Sequence, residues 1–492
     1  MHIGLDRCSA GPIVYDMKPP IDLSSYSLAQ KDALIGKLFE QVSVLQQQLK
    51  ALQAQLGLNS TNSSKSSSTD DGYNKPKPKS RRNKSGKSSG GQPGHKGSTL
   101  ERSANPDHIV EHTVEQCSGC GFDLRALPVE GIEARQVFDI PPIQIAVTEH
   151  QAHIKCCPCC RARNKGAFPA HVGQPVQYGP EVQAVVTYLS QYQMLPYQRL
   201  KQCLEDLFQL SLSEGTVNNI LRRGHKALQG FEEHSRTLVG ASVVAHFDES
   251  GLRVGKALHW LHVASTESLT CYFHHPKRGS EAMREMGVLD GFGGYAVHDH
   301  FSSYFCFAIL HVLCGAHILR ELISAHEQHE QAWAKKMIAC LLDAKKEVDT
   351  AVAAGATTLD SSRIDYYEAR YRRILKAAVA ELPADPIPIG ATRGKKKRHK
   401  VKNLHARLDE YQPEVLAFVY DLTLPFDNNL AERDVRMVKV KQKVSGCFRS
   451  SEGADMFCRI RGYISTAKKQ GRHVLGSLRD CFHGQPFNPA TV

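Results

Sequence analysis

No apolar run in this 492-residue chain approaches the roughly 20 residues that a membrane-spanning helix needs. The opening stretch, MHIGLDRCSAGPIVYDMKPP, lacks the charged-then-apolar order of a secretory signal. Both absences predict a cytoplasmic chain with no membrane partner. In that reducing compartment the 15 Cys are expected as metal ligands and buried thiols, not as a disulfide framework. Acids are also scarce, with 50 Asp and Glu against 62 Lys and Arg, a net charge of +12. Such an excess favours polyanionic partners. What is present is enough apolar residue, 41%, to build packed domains, and too much chain for one ordinary core.

Residues 1–26 carry no readable pattern. From Ile35 the apolar residues repeat as a heptad, with Ile35, Val42, Leu49 and Leu56 at a, and Leu38, Leu45 and Leu52 at d. β-branched or Leu residues at a with Leu at d lean toward a parallel dimer, so residues 27–58 are expected as a coiled coil pairing two copies. A single amphipathic helix packed on its own chain is the alternative. Residues 59–105 are a Ser, Gly, Pro and Lys tract that cannot bury enough apolar surface to order itself. Its cations (Lys75, Lys77, Lys79, Arg81, Arg82, Lys84 and Lys87) suit phosphates without reading sequence.

Two CxxC pairs follow in residues 106–175, Cys117–Cys120 and one within Cys156, Cys157, Cys159 and Cys160. Separated by a strand-like stretch at 140–154, they read as a ribbon holding one structural Zn²⁺. The second pair is either Cys157 with Cys160 or Cys156 with Cys159. The former is preferred because Cys157-Pro158-Cys159-Cys160 has the Cys-Pro-x-Cys form of a knuckle. Residues 176–238 read as helical, with a turn at Leu210–Ser213 and Ser213 capping the next helix. That is a possible helix-turn-helix carrying Arg222 and Arg223 toward DNA, though helical hairpins that only pack are commoner.

From Ala241 the pattern changes to strands. Three β-rich runs, a helix at 279–289 and a fourth strand follow, with Asp248 ending the first strand and Asp299 the last. This order is that of an RNase H-like core, in which the two acids become neighbours. The third acid, Glu432, lies in LPFDNNLAERDVRMVKVKQKVSGCFRS, where Pro425 and a cluster of turn formers precede a run free of Gly and Pro up to Gly446. Arg436, Lys439 and Lys443 share its helical face. A capping role for Glu432, paired with Asn429, is the bland alternative. Three carboxylates at one point repel and are costly to desolvate unless cations join them. Two Mg²⁺ (or Mn²⁺) ions would relieve this and suit in-line phosphoryl displacement. The stretch between the second and third acids is too long for a loop and reads as a helical insertion at about 311–420. It includes the basic run 393–402 and a lone Cys314–His317 pair, for which packing is the simpler role.

These blocks together (NSSKSSS, GGQPGHKGSTL, the Cys knuckles, FDES, HDHFSSY with CGAHILREL, and DNNLAERDVRMVKVKQKVSGCFRS) resemble transposases of the IS66 insertion-sequence family over nearly the whole length. The resemblance implies a DDE-type DNA transposase with Asp248, Asp299 and Glu432 as its acids, and small accessory proteins as partners. Ser250 stands where Thr is usual, and His300 where Gly is common. The expected architecture is multidomain α+β. An RNase H-like α/β catalytic core at 239–475, with its helical insertion, follows the coiled coil, the zinc ribbon and a helical DNA-binding segment; 476–492 form a tail. The expected chemistry is cleavage at element ends and joining of the 3′-hydroxyl to target DNA, in a nucleoid-associated protein. Arg436, Lys439, Lys441, Lys443 and Arg449 are expected on backbone phosphates. A non-catalytic repressor of transposition and a structure-specific nuclease are the competing readings.

Overall fold

The computed structural model describes residues 26–56, 94, 97, 99–141, 143–169, 172–385 and 398–490. The linker cations from Lys75 to Lys87 and residues 393–397 of the basic run lie outside them. In chain order the elements are α1 (Leu28–Leu56), β1 (Ile154–Cys156), β2 (Arg163–Lys165), α2 (Pro180–Thr187), α3 (Tyr197–Phe208), α4 (Glu214–Ala227), α5 (Gln229–Gly240), β3 (Val244–Val254), β4 (Ala257–Ser265), β5 (Thr270–His275), α6 (Ser280–Met286), β6 (Tyr295–His298) and β7 (Leu310–Leu313). They continue as α7 (Gly315–His329), α8 (Ala332–Ala353), α9 (Ser361–Ala378), α10 (Lys400–Glu410), α11 (Gln412–Val415), α12 (Ala417–Tyr420), α13 (Asn429–Ser445), α14 (Ser451–Lys469) and α15 (Val474–Phe482). No helix among the described residues is long and apolar enough to cross a membrane.

A five-stranded mixed sheet, ordered β5-β4-β3-β6-β7, organises one of two compact units. β3, β4 and β5 are antiparallel neighbours, whereas β6 and β7 run parallel to β3. The hairpin between β3 and β4 is two residues long, and Gly255 supplies the positive φ (+57°) that such a turn needs. β6 enters beside β3 at Gly294, where a Cβ would lie 2.3 Å from the Ser242 carbonyl oxygen and 2.6 Å from that of Val243. Only glycine lets these backbones approach so closely. The expected order of three strands, a helix and a fourth strand is observed. Two details differ. β3 does not end at Asp248 but runs on to Val254, and β7 adds a fifth strand from residues assigned to the insertion. The polar stretch 248–251, Asp-Glu-Ser-Gly, interrupts the apolar alternation that marks a strand, so the extension left little signal in sequence.

Alternation along β3 divides the core in two. Ala245 and Phe247 face a cluster containing Met283, Met286, Phe292, Ala296 and Tyr304. Leu252 and Val254 face the other side, with Leu261, Val263, Ala431, Val435, Val438 and Phe457. There α13 lies on β3 and β4, and α14 on β5. The Gly462 position of α14 is tight, since a Cβ would come 3.2 Å from the Thr270 carbonyl oxygen. The far side of α14 packs into a helical cluster with α2, α3, α4 and α15 through Met456, Ile460, Tyr463 and Ile464. The expected boundary at 475/476 therefore falls inside α15, which packs on α2 instead of trailing as a tail.

α3 and α4 form the expected pair, with Ser213 accepting the Thr216 N–H at 3.0 Å as the cap. α4 buries Val217, Ile220, Leu221 and Gly224 against the cluster. In the segment at 99–169, regular strand is confined to the short β1–β2 hairpin among the described residues. The strand expected at 140–154 is realised only at its end; among the described residues the pairing with 163–165 reaches back to a bond from the Gly166 N–H to the His153 carbonyl at 2.9 Å.

The second unit contains α1 and α7–α12. α7, α8, α9 and α10 pack side by side around Trp333, Met337, Leu341, Tyr371, Leu404 and Leu408. This is the helical body expected between the acids, beginning at Gly315 instead of about 311. α1 spans the heptad repeat, and its apolar stripe is open to solvent, with Leu45 61% and Leu49 57% exposed.

Candidate active site

The sequence acids come from three elements of the sheet unit. Asp248 projects from the middle of β3. The parallel register pairs Val244 with Tyr295 and His246 with Val297; carried two residues further, it sets Asp248 opposite Asp299. Asp299 directly follows β6, and its Oδ1 accepts the Phe301 N–H at 3.0 Å, which fixes the turn. Asp248 Oδ1 accepts the N–H of Glu249 at 2.8 Å. Its carboxyl is pushed well above the usual range, first by burial and then by the negative charges of Glu249, Asp299 and, more weakly, Glu432.

Glu432 is 9% exposed, on the first turn of α13. It does not serve as the partner of a capping box. Its N–H donates to the Asn428 carbonyl at 3.1 Å, and Asn428 is the cap position. The fully buried Asn428 instead clamps the helix to the strand. Its Nδ2 donates to the Phe247 carbonyl at 2.7 Å, its Oδ1 lies 2.9 Å from His246 Nδ1, and its N–H meets Cys314 Sγ at 3.2 Å. The residues one and two before Asp248 thus hold the turn that delivers Glu432.

Asp434 is the instructive contrast. It lies two residues beyond Glu432, so the helix turns it elsewhere. Its Oδ2 accepts bonds from Ser265 Oγ (2.6 Å), Thr270 Oγ1 (3.0 Å) and Lys469 Nζ (2.8 Å), a closed structural network.

The sequence reading did not single out Glu249, which follows Asp248 and, on the strand, faces the opposite side. Its buried Oε1 accepts from Arg278 Nη2 (2.6 Å) and Nε (3.0 Å), and Oε2 accepts the Tyr304 hydroxyl at 2.9 Å. Burial and the charge of Asp299 raise it to about 7, against the pull of Arg278. The second acid in FDES was the available signal, but its partners lie far along the chain. His298, before Asp299, is fully buried and held well below its usual pKa by burial and by His311. Its Nδ1 accepts the His300 N–H at 3.2 Å, so Nε2 carries the proton and donates to His311 Nδ1 at 2.9 Å. His300 has φ +72°, the left-handed region that favours glycine.

The cations separate into two groups. Arg436 is exposed and reaches Glu432 Oε2 at 3.4 Å; Lys443 and Arg449 are exposed. Lys439 Nζ donates to the Gly251 carbonyl at 2.6 Å. Lys441 turns inward, over the Phe448 ring at 4.7 Å, donates to Ser445 Oγ, and is pushed down to about 8 by burial. Arg222 forms an ion pair with Glu452 at 2.6 Å, and Arg223 donates to Gln183 Oε1 at 3.0 Å.

The cysteines form two knuckles of matching geometry. Cys117 N–H donates to the Phe122 carbonyl and Gly121 N–H to the Cys117 carbonyl; Cys157 N–H donates to Ala162 and Arg161 N–H to Cys157, all at 2.9 Å. Gly121 and Arg161 occupy the same left-handed position, with φ +75° and +58°. Backbone N–H groups lower the Cys117 thiol (Gly119 and Cys120) and the Cys157 thiol (Cys160 and Cys159), as a metal-ligating thiolate requires. Cys156 faces elsewhere, with Sγ 3.4 Å from the Arg161 carbonyl. The thiols are paired two by two. Among the described residues neither the four sulfurs nor the three carboxylates supply three donor atoms all within 4.8 Å of one another.

The relatives of the chain supply its class, which is that of the transposases. The family described as "Transposase IS66 family" matches residues 175–456, more than half of the sequence, and the chain belongs to it. The "zinc-finger binding domain of transposase IS66" matches residues 115–161, which include both knuckles, and supports a structural zinc. A family of unknown function matches residues 18–101. No curated protein matches the chain.

Proposed function

We propose that this transposase is catalytically competent, cleaving insertion-sequence ends and joining the freed 3′-hydroxyl to target DNA, with Asp248, Asp299 and Glu432 as its metal-binding acids. The observation that carries the reading is the crowding around Asp248. Burial first, then the charges of Glu249, Asp299 and Glu432, raise that carboxyl, and bound cations would stabilise its charged form. The donor set is all oxygen and fits Mg²⁺ or Mn²⁺. Two such ions, when bound, would activate the attacking oxygen and stabilise the leaving one. The protein's own part is positional. The parallel register aligns Asp248 with Asp299, and Asn428 ties Glu432 to the same strand. The strand order, with three antiparallel strands, a helix and two strands parallel to the first, supports an RNase H-like core.

The exposed Arg436, Lys443 and Arg449 are the better candidates for phosphate contact; Lys439 and Lys441 act first on the protein itself. Arg222 and Arg223 would reach DNA only at the expense of their present partners. Cys117, Cys120, Cys157 and Cys160 are the proposed zinc ligands, supported by the matching knuckles. The exposed stripe of α1 is the proposed two-stranded coiled coil, since two element ends must be processed together. Accessory proteins of the same element complete the assembly, which acts on the bacterial nucleoid. Changing Glu432→Gln should leave folding and DNA binding intact and abolish Mg²⁺-dependent nicking. Retained nicking would refute the assignment of Glu432, and a wild-type protein that binds but never nicks would favour a repressor.

A further inference from the structure

The two faces of the sheet are covered to different extents. The face bearing Asp248, Leu252 and Val254 is packed under α13 and α14 as far as the hairpin tip. On the opposite face the apolar cluster stops at Phe247 and Tyr304, with Glu249 at its edge. Beyond Glu249 that face carries Trp260, paired with Gly251, and Leu258, paired with Arg253. Leu258 is 50% exposed, Arg253 and Lys256 are exposed, and Trp260 is half-buried. A further segment joins them. Phe448 bridges to Val254 in parallel, its N–H donating to the Arg253 carbonyl at 2.9 Å and its carbonyl accepting from Gly255 at 2.7 Å. Since Phe448 is buried with Val254, alternation turns Cys447 and Arg449 to the same side as Arg253, and both are exposed.

At the inner end Arg278 sits between aromatic faces, 3.9 Å from the Phe301 centroid and 4.9 Å from that of Trp260. It is also bonded to Glu249, next to Asp248. Neither 250–258 nor 441–450 contains an acid. On that face Glu249 to Arg253 is four residues of strand, about 13 Å, or about four nucleotides at 3.4 Å per phosphate along one strand.

We propose that this strip, from Arg278 past Trp260 to Arg253, Lys256 and Arg449, is a DNA-backbone track leading away from the acids, with Trp260 lying against the bound nucleic acid. Its chemistry is that of a sequence-independent contact, in which cations neutralise phosphates and an aromatic face supports them. The partner follows from the transposase reading, but the track does not depend on the acids being catalytic.

The test therefore measures binding without divalent metal, using the full chain and a 40-bp duplex of arbitrary sequence. The double variant Arg253→Glu, Lys256→Glu is compared with Lys335→Glu, Lys336→Glu, which makes the same charge change at exposed positions of α8. The track predicts at least a tenfold weaker complex for the first variant, with the slope of log affinity against log salt falling by roughly 2, about 0.9 per lost phosphate contact. The α8 variant should keep the wild-type slope. Equal losses in the two variants, or none in the first, would overturn the proposal. An independent readout uses the only two tryptophans, because Trp333 is 1% exposed in the core of α8. DNA should change the intrinsic fluorescence of the wild type but not that of Trp260→Phe. A change that persists in Trp260→Phe, or that is missing from the wild type, contradicts contact at Trp260. A wild-type protein that never nicks would sink the catalytic reading, while the track would still stand or fall on these binding measurements.

Discussion

The acids and the cysteines were both visible as spaced ligand sets, yet the fold treats them differently. Asp248, Asp299 and Glu432 are held by a packed sheet, through its register and the buried Asn428 clamp. The cysteine segment has almost no apolar interior; its order is two local turns and a short hairpin. The proposed site of the acids is thus carried by a packed core. A site in a segment without a core needs the metal to draw its halves together.

The largest effect should come from breaking the packed half. Gly294→Ala drives a Cβ into two carbonyl oxygens, and about 3 kcal/mol or more should be lost. Thermal melting would check this; an unchanged midpoint would mean that β6 is not held so closely. Next is Asn428→Leu, which leaves the Phe247 carbonyl and the His246 ring without their buried partner. About 2–3 kcal/mol of destabilisation is expected, and Mg²⁺ should be needed at higher concentration because Glu432 is no longer tethered. A loss of stability with unchanged Mg²⁺ dependence would make the clamp purely structural.

On the cysteine side, Cys157→Ser should abolish zinc by metal analysis while leaving the melting of the sheet unit within about 0.5 kcal/mol; Cys156→Ser should retain the metal. The opposite pattern would move the register. The smallest effect is His300→Gly. Relief of the left-handed backbone at φ +72° should stabilise the fold by up to about 1 kcal/mol, readable as a small rise in the unfolding midpoint.

Much of this was legible in the chain because it was local. The strand runs, Ser213 as a helix cap, the heptad of α1 and the turn before α13 are all written in neighbouring residues. What was hidden depends on distant partners. Nothing near Glu249 announces Arg278 and Tyr304, and nothing near Asp434 announces Lys469. The partners of α4 were hidden in the same way, since α14 and α15, which cover part of it, arrive more than 200 residues later. Of the five cations expected on phosphates, Lys441 lies over Phe448 and Lys439 donates to the Gly251 carbonyl, partners that the local sequence does not announce. The heptad shows the opposite limit, since a stripe can be read from one chain whereas its partner cannot.

Diffraction from crystals of the protein with DNA and Mn²⁺ would test the central claim most directly, because Mn²⁺ scatters anomalously. The account predicts two peaks roughly 3.5–4 Å apart, bounded by Asp248, Asp299 and Glu432. Peaks elsewhere, or none beside these three carboxylates, would contradict it.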